Sequence, residues 1–368
     1  MTKRKTNNVE KWGVALIGAG AFGERRAAVV AANAACRLVT IADPAEERAQ
    51  AVAARCGGVP LTNWQTAIAA SGVDIVVVAT PTALAPQVAL AALLTGKHVL
   101  AEKPFGRSAD DILGCVGAAR EGNLILKVGY NHRYHPAIAA AHGLLHAGSI
   151  GKLLYLRCVY GHGGRAGYER EWRSQPEISG GGQLLDQGVH ALDLFRWFAG
   201  EFSEATASLT TSYWPIAPAE DNVFAILRTS NGVIAQLHAS WTQWKNSFCL
   251  EVTGECGALT ASGLGRSYGP ERLVWQTRSA AGRPPEEKYF DYPEEDASLA
   301  IEWKDFIASV ASGRPPMSSG EDAWRTLALA DALYNSARQH QVVPLDSISK
   351  SGAALSAPAA YAATAVGR

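Results

Sequence analysis

The sequence predicts an α/β protein in which a parallel sheet, covered by helices on both faces, is followed by a second α/β domain with a mostly antiparallel sheet. Apolar runs and helical segments alternate through the first third of the chain, which is typical of such a parallel sheet. After residue 150 the apolar runs shorten, and Asn231-Gly232 and Glu255-Cys256-Gly257 are hairpin-turn signals. A chain of 368 residues exceeds one ordinary hydrophobic core, so two domains are expected.

The composition narrows the class of protein. Hydrophobic residues make up 48% and charged residues 18%, with a net charge of +0, which excludes a disordered chain and gives no electrostatic case for a nucleic-acid or membrane partner. Residues 1–12 carry positive charge without an apolar segment behind them, and no run approaches the ~18 apolar residues of a spanning helix. A cytoplasmic protein is therefore expected. The six cysteines lack the spacing of a zinc site, so no metal is indicated.

The first element is predicted at residues 14–32, VALIGAGAFGERRAAVVAA, as a strand, a glycine turn and a helix. The motif G-x-G-x-x-G is formed by Gly18, Gly20 and Gly23. In this position it predicts a Rossmann domain, with a dinucleotide pyrophosphate at the helix N-terminus. Asp43 ends the next strand at the distance expected of a ribose-binding acid, which favours NAD over NADP. The alternative for Asp43 is a turn residue before Pro44.

Two further strands are predicted at residues 73–80 and 97–104. Ligands of parallel sheets bind at the carboxyl ends of the strands, where Thr80-Pro81 and Glu102-Lys103-Pro104 lie. The proline after Lys103 disfavours a helical backbone and allows a cis peptide bond, so that the ammonium can point into the cleft. Taken alone, a surface lysine in a turn is the other interpretation.

Residues 180–195, GGGQLLDQGVHALDLF, predict a helix that begins on glycines and carries an acid and an imidazole. Helical periodicity places Asp186 and His190 on one stripe with Asp193 and Trp197. The glycines are expected to let the backbone approach a ligand closely. An ordinary Asp/His pair on a helix surface is the alternative.

The segment just upstream, residues 161–179, is a candidate cover for substrate or cofactor. Aromatic faces suit the C–H surface of a polyol and arginine suits its hydroxyls, and Tyr168, Trp172 and Arg173 offer both. Solvated surface charge is the competing interpretation. Trp241, in SWTQWKN, is a weaker substrate candidate, since alternating tryptophans in a strand often belong to a core or a subunit interface.

Taken together, the motifs GAGAFG, TPT, AEKPFG, VGYNHRYHP and GGGQLLDQGVHALDLFRWF resemble the Gfo/Idh/MocA family (glucose-fructose oxidoreductase, inositol 2-dehydrogenase, rhizopine catabolism). The resemblance spans about residues 10–345. It implies an N-terminal Rossmann domain that carries NAD or NADP. It also implies a C-terminal α/β domain whose large, mostly antiparallel open sheet closes the substrate site and forms a homo-oligomer, a dimer or tetramer. TPTALAP departs from the family, because many members carry a histidine a few residues after the T-P pair.

The resemblance implies that Lys103, Asp186 and His190 form the catalytic group. The predicted cofactor-binding residues are Gly18, Gly20, Ala21, Phe22, Gly23, Asp43, Thr80, Pro81, Glu102, Lys103, Trp172 and Arg173. The predicted substrate-binding residues are Lys103, Tyr168, Arg173, Asp186, His190 and Trp241. In the mechanism we expect, His190 accepts the proton of a substrate hydroxyl, Asp186 orients the imidazole or bonds a neighbouring hydroxyl, and Lys103 stabilises the alkoxide. Asp186 is expected to raise the pKa of His190.

The leading hypothesis is an NAD-dependent dehydrogenase of a sugar, cyclitol or sugar derivative, with NADP the less favoured cofactor. The alternatives are an enzyme that uses tightly bound NAD transiently and a non-catalytic NAD-binding regulator. We expect a Rossmann domain at residues 10–132 and a substrate-binding and oligomerisation domain at residues 133–345. The helices of residues 297–340 are expected to pack back on the first domain, and residues 346–368 to form a mobile tail or an arm on a neighbouring subunit.

Overall fold

A computed structural model describes residues 11–279 and 283–345 of the chain. The tail predicted at residues 346–368 lies outside the described residues. Within the described ranges, no helix combines the length and the apolar character needed to cross a membrane.

The first domain is a parallel sheet of six strands among the described residues, in the order β3-β2-β1-β4-β5-β6. The strands are β1 (Trp12–Ile17), β2 (Cys36–Ala42), β3 (Val59–Leu61), β4 (Ile75–Val78), β5 (His98–Ala101) and β6 (Leu126–Val128). The helices between them are α1 (Ala21–Ala32), α2 (Glu46–Cys56), α3 (Trp64–Ala69), α4 (Ala85–Leu94) and α5 (Ala109–Glu121). This strand order is that of the doubly wound dinucleotide-binding fold, so the predicted Rossmann domain is confirmed.

The second domain contains a sheet of nine strands within the described ranges, ordered β14-β13-β12-β11-β7-β10-β9-β8-β15. The strands are β7 (Leu153–Gly161), β8 (Phe202–Thr210), β9 (Asn222–Thr229), β10 (Ile234–Ser240), β11 (Ser247–Gly254), β12 (Gly257–Ser262), β13 (Glu271–Thr277), β14 (Glu286–Tyr292) and β15 (Val343–Pro344). The helices are α6 (Pro136–His146), α7 (Pro176–Ser179), α8 (Val189–Ala199), α9 (Ser298–Ser312) and α10 (Gly320–Gln339). Where the structure describes it, neighbouring strands pair antiparallel except β7 with β10, which confirms the mostly antiparallel sheet.

The two sheets are joined by helices that belong to both cores. Trp303 and Phe306 of α9 are fully buried against the first domain, in the same apolar cluster as β1 and α1. The described part of α10 contacts α5 of the first domain and α8 and β8 of the second. This packing brings the carboxyl ends of the parallel strands to face the start of α8.

Candidate functional site

A cavity of about 540 Å³ lies between the two domains, at the carboxyl ends of the parallel strands. The glycine loop and the segments after β4 and β5 form its first wall. The second wall is formed by β7, the loop after it, the start of α8 and residues 264–268. Ten of the predicted site residues line this cavity: Ala21, Phe22, Thr80, Glu102, Lys103, Tyr168, Trp172, Arg173, Asp186 and His190. The cavity is therefore the candidate active site.

The cofactor end of the cavity is shaped by glycines. A Cβ atom on Gly18 would lie 2.4 Å from the Ala79 carbonyl oxygen, and one on Gly23 would lie 1.9 Å from the Gly18 carbonyl oxygen. A Cβ on Gly20 would meet nothing within 4 Å, and no side chain of the described residues caps α1. The first amide groups of α1 therefore remain available to a phosphate.

Two buried threonine hydroxyls after β4 point to the same ligand. Among the described residues, neither Thr80 Oγ1 nor Thr82 Oγ1 has a hydrogen-bond partner, although both side chains line the cavity. A buried hydroxyl without a partner is costly, and a polar ligand would satisfy it. Together with the open glycine loop, these atoms fit a bound dinucleotide. Thr82 was not among the predicted site residues.

Asp43 follows β2 and braces the glycine loop. Its Oδ2 accepts a hydrogen bond from the Ala19 amide at 2.8 Å, and its Oδ1 accepts one from the Ala45 amide at 2.9 Å. Each oxygen keeps a further lone pair for a ribose hydroxyl. Asp43, Gly18, Gly20, Gly23 and Pro81 do not line the cavity itself.

Lys103 extends from the segment after β5 and bonds to the helix start in the other domain. Its ammonium donates to the Asp186 carbonyl oxygen and lies 3.8 Å from Asp186 Oδ1. Burial lowers the pKa of Lys103, and Asp186 partly opposes that shift. The peptide bond between Lys103 and Pro104 is cis, as the sequence allowed.

Glu102, next to Lys103, is paired on its other side with the buried Arg26 of α1. Arg26 also donates to Glu302 of α9 at 2.6 Å. Burial raises the pKa of the Glu102 carboxyl, and Arg26 offsets part of this shift. Glu102 thus anchors the lysine segment to the helices behind it.

Asp186 lies among cations rather than against His190. Besides Lys103, the Nε atom of Arg173 lies 3.7 Å from Asp186 Oδ1. Burial alone would raise the pKa of Asp186, but Lys103, Arg173 and His162 bring it below its ordinary value. The expectation that Asp186 raises the pKa of His190 is wrong, because these cations surround its carboxylate.

His190 is almost fully buried at the cavity wall, with 4% of its surface exposed. Its ring stacks on His132 with centroids 3.7 Å apart and planes inclined by 21°. Its Nδ1 has no hydrogen-bond partner in the part of the chain that the structure describes. Burial, then His132, Lys103 and His135, lower the pKa of His190 well below the usual imidazole value. A neutral imidazole at the cavity wall is suited to accept a proton.

The glycines ahead of α8 pack closely against protein. A Cβ on Gly181 would lie 1.9 Å from Tyr334 Oη, and one on Gly182 would lie 2.0 Å from the Glu220 carbonyl oxygen. The Glu220 carboxylate accepts hydrogen bonds from the amides of Gly182 and Leu184 at 3.0 and 2.9 Å. Both glycines also line a small pocket with Thr82 and Asp186, so the expected close approach to a ligand stays a prediction.

Only part of the predicted stripe of polar residues lies at the cavity. A π-helical turn, Leu184–Gly188, precedes α8 and carries Asp186. Asp193 instead forms a buried bidentate pair with Arg133, at 2.8 and 2.6 Å. Trp197 stacks on His142 with centroids 3.7 Å apart. Asp193 and Trp197 thus contact α6 and the segment before it, and only the first half of the stripe lines the cavity.

The loop after β7 covers the outer side of the cavity. Arg173 lies 4.5 Å from the centroid of the Trp172 ring, and the Tyr168 ring is buried. Trp241 does not line the cavity but packs behind Tyr168, with ring centroids 4.6 Å apart. Its indole N–H makes no hydrogen bond within the described ranges, although it lies near enough to Asp186 to lower that carboxyl's pKa. Direct substrate contact by Trp241 is thus not favoured.

Several residues that line the cavity were not predicted from the sequence. They are Arg25, Thr82, Asn131, His132, His135, Tyr160, His162, Gln187, Arg266 and Tyr268. His162 Nδ1 accepts the Gly164 amide at 3.0 Å, so in its neutral form Nε2 is a donor. For Tyr160 a signal existed, because it follows Cys158 in the alternating pattern that turns one face of β7 inward.

Comparison with known proteins agrees with this geometry. Residues 12–130 match the family model described as "Oxidoreductase family, NAD-binding Rossmann fold", and residues 138–260 match the C-terminal domain model of the same GFO/IDH/MocA family. The chain belongs to the Gfo/Idh/MocA family of oxidoreductases. The resemblance drawn from the motifs is confirmed, and the protein is an NAD-dependent oxidoreductase.

Relatives in this family are similar over most of their length. Levoglucosan dehydrogenase of Pseudarthrobacter phenanthrenivorans is 27% identical, over 91% of this chain and 98% of that protein. Inositol 2-dehydrogenase of Rhizobium meliloti is 28% identical, over 90% of this chain and 98% of that protein. A solved levoglucosan dehydrogenase in complex with NADH and L-sorbose has a TM-score of 0.83 at 26% identity, covering 92% of this chain and 100% of that chain.

Proposed function

We propose that this family member catalyses the NAD-dependent interconversion of a secondary hydroxyl and a ketone on a sugar, cyclitol or sugar derivative. The observation that carries the proposal is the convergence of Lys103, Asp186 and His190, from two domains, on one cavity. The relatives named for levoglucosan and inositol support the substrate class. The proposal assigns residues 10–132 to cofactor binding and residues 133–345 to substrate binding and oligomer formation.

The three residues divide the chemistry. NAD, when bound, accepts the hydride. His190 accepts the hydroxyl proton, because its ring lines the cavity and burial keeps that ring neutral. Lys103 donates to the oxygen as negative charge develops on it. Asp186 holds the lysine ammonium in place from the second domain.

The experiment that tests the proposal is a substrate screen on the purified protein. Free sugars, cyclitols, sugar acids and nucleotide sugars are offered with NAD, and nicotinamide absorbance is followed. Reduction of NAD by at least one polyol supports the proposal. Protein that retains NAD through purification and turns over without added cofactor would indicate transient use of NAD. Tight NAD binding with no turnover on any class would indicate a regulator.

The preference for NAD is expected to depend on Asp43. Its carboxylate can accept the ribose 2′-hydroxyl and repels a 2′-phosphate, so we expect kcat/KM to favour NAD over NADP by about tenfold or more. Asp43→Asn removes the charge and leaves a carbonyl oxygen for only one of the Ala19 and Ala45 amides, and it should narrow that ratio. Steady-state kinetics with both cofactors measure it. An unchanged ratio in Asp43→Asn would remove the carboxylate from cofactor selection.

We also propose that a second copy of the chain covers the outer face of the large sheet. Phe224 and Ile226 of β9 are 49% and 48% exposed there, and Leu154, Tyr155 and Val159 of β7 are exposed as well. Phe224 stacks on His238 of β10, which pairs with Val159, so the apolar surface crosses three neighbouring strands. An exposed apolar face of this kind marks a protein interface.

Ile226→Asp is therefore expected to convert the oligomer to a smaller species, measured by light scattering after size exclusion. A charge placed in an apolar interface is costly to bury. Leu94→Asp is the control, because Leu94 is 72% exposed on α4, away from the large sheet. A wild-type chain that is monomeric at micromolar concentration would refute the proposal.

A further inference from the structure

The imidazole stacked on His190 belongs to a residue that the proposed mechanism does not use. His132 lies in the 3₁₀ turn Asn131–Tyr134, which begins shortly after β6. It is buried, with 5% of its surface exposed, and its ring plane is nearly parallel to that of His190. Two stacked, buried imidazoles with ring centroids 3.7 Å apart are unusual, because the polar nitrogens of each ring need hydrogen-bond partners.

Hydrogen bonds fix both nitrogens of His132. Its Nδ1 lies 3.4 Å from Asn131 Oδ1, and its Nε2 lies 3.1 Å from Tyr160 Oη. The Asn131 amide nitrogen donates to Ser298 Oγ at 2.8 Å, and Ser298 Oγ donates to Asp296 Oδ1 at 2.6 Å.

The donor and the acceptor of each of these hydrogen bonds can be assigned in turn, starting from Asp296. The Asp296 carboxylate only accepts, so the serine donates to it and accepts from the asparagine. The asparagine oxygen then faces His132, so the proton of that ring lies on Nδ1. Nε2 therefore accepts from the Tyr160 hydroxyl. A second proton on His132 would displace the Tyr160 donor, so this network favours a neutral ring with a fixed tautomer.

We propose that His132 is a positioning residue, whose ring, fixed by its own hydrogen bonds, holds the stacked His190 imidazole in one orientation at the cavity wall. This inference rests on the proposed function of His190 as the proton acceptor. It adds that the stacked, neutral ring of His132 orients His190. The sequence had suggested Asp186 for this orienting role.

The same contact bears on the protonation of His190. Several groups face its ring: His132 from the 3₁₀ turn, His135 just after that turn, Lys103 after β5, the rings of Tyr130 and Tyr160, and Asp186 one turn earlier in the chain. His132 covers one face of the ring, and burial is the largest cause of the lowered pKa of His190. Removal of the His132 imidazole is therefore expected to move the titration of His190 to higher pH.

The experiment observes the His190 ring directly and needs no substrate. Nitrogen-15 ring-labelled protein is titrated by NMR, with His190→Gln used to assign the signals. In the wild type His190 should show a single tautomer and no protonation near neutral pH. In His132→Ala the two ring nitrogens should approach averaged shifts, and the titration midpoint should rise. His132→Phe keeps a flat, uncharged ring in the stack and should keep both the His190 orientation and its low midpoint.

Kinetics on an active substrate complete the test. His132→Ala is expected to lose about tenfold to a hundredfold in kcat with little change in KM, and His132→Phe to recover part of it. The matched control is His142→Ala, which removes another stacked imidazole, on Trp197, outside the cavity. That variant should keep kcat and the His190 spectrum.

The outcomes separate this proposal from the function itself. A folded His132→Ala protein with an unchanged His190 spectrum overturns the positioning role, whatever the substrate. Tyr160→Phe removes the hydroxyl that bonds to His132 Nε2, so His132 should no longer be held in one tautomer. This variant keeps the proposal testable if His132→Ala does not fold. A wild-type His190 in one tautomer, in a protein that oxidises no polyol, leaves the positioning intact and refutes the proposed function.

Discussion

Replacement of His190 by alanine is expected to lower kcat for oxidation by about 10²- to 10⁴-fold, the range for a positioned general base. The imidazole lies at the cavity wall that Lys103 and Asp186 also line, and burial lowers its pKa so that the ring is neutral. The ring is buried against His132, Tyr130 and Tyr160, so the variant should fold with a lowered melting temperature. Steady-state kinetics and a thermal melt of the same preparation measure both effects.

The pH dependence gives an independent check on His190. Oxidation needs the neutral ring, so kcat/KM should rise as pH increases through the pKa of His190 and then level off. Because burial and the neighbouring cations and imidazoles lower that pKa, the rise should lie below the ordinary value of 6.5. The acid limb should be absent in His190→Ala. Near-wild-type turnover in a folded variant, with the same pH profile, would end the proton-acceptor role.

The fold was predictable where the sequence pattern is long and apolar. The glycine turn, the strand ahead of it and the helix after it are local signals, and the structure has them at β1 and α1. Two strands of the first sheet, β3 and β6, were missed because each has three residues. At the edge of the second sheet, β14 has the sequence EEKYFDY and is exposed along most of its length, so no buried face imposes a period on it.

The residues of the candidate site were predictable where they belong to family motifs. The contacts between residues that lie far apart in the sequence were not predictable. Lys103, Asp186 and His190 come together as the motifs imply. The partner of Asp186 could not be read from helical spacing, because Lys103 reaches it from the other domain. His132 was missed for a related reason, since it follows a strand too short to predict and meets His190 only in the folded chain.

Replacement of Lys103 by methionine is expected to lower kcat by at least about a hundredfold, the usual effect of removing one donor that stabilises charge in the transition state. Methionine has nearly the same length, so it removes the ammonium and keeps most of the packing. Binding of NADH, measured by its fluorescence, should stay within a few-fold of wild type. Lys152→Met is the control, because Lys152 is exposed at the start of the second domain.

The alkaline pH limb distinguishes the two possible roles of Lys103. Burial lowers its pKa from the ordinary 10.5, so the charged form that stabilises an alkoxide should be lost, as pH rises, below that value. Asp186 opposes this shift, and Asp186→Asn should therefore move the alkaline limb to still lower pH. A Lys103→Met variant with normal kcat and strongly weakened NADH binding would instead assign the lysine to the cofactor. In that case Asp186 would position a lysine that binds the cofactor, and Lys103 would not stabilise the negative charge that develops on the substrate oxygen.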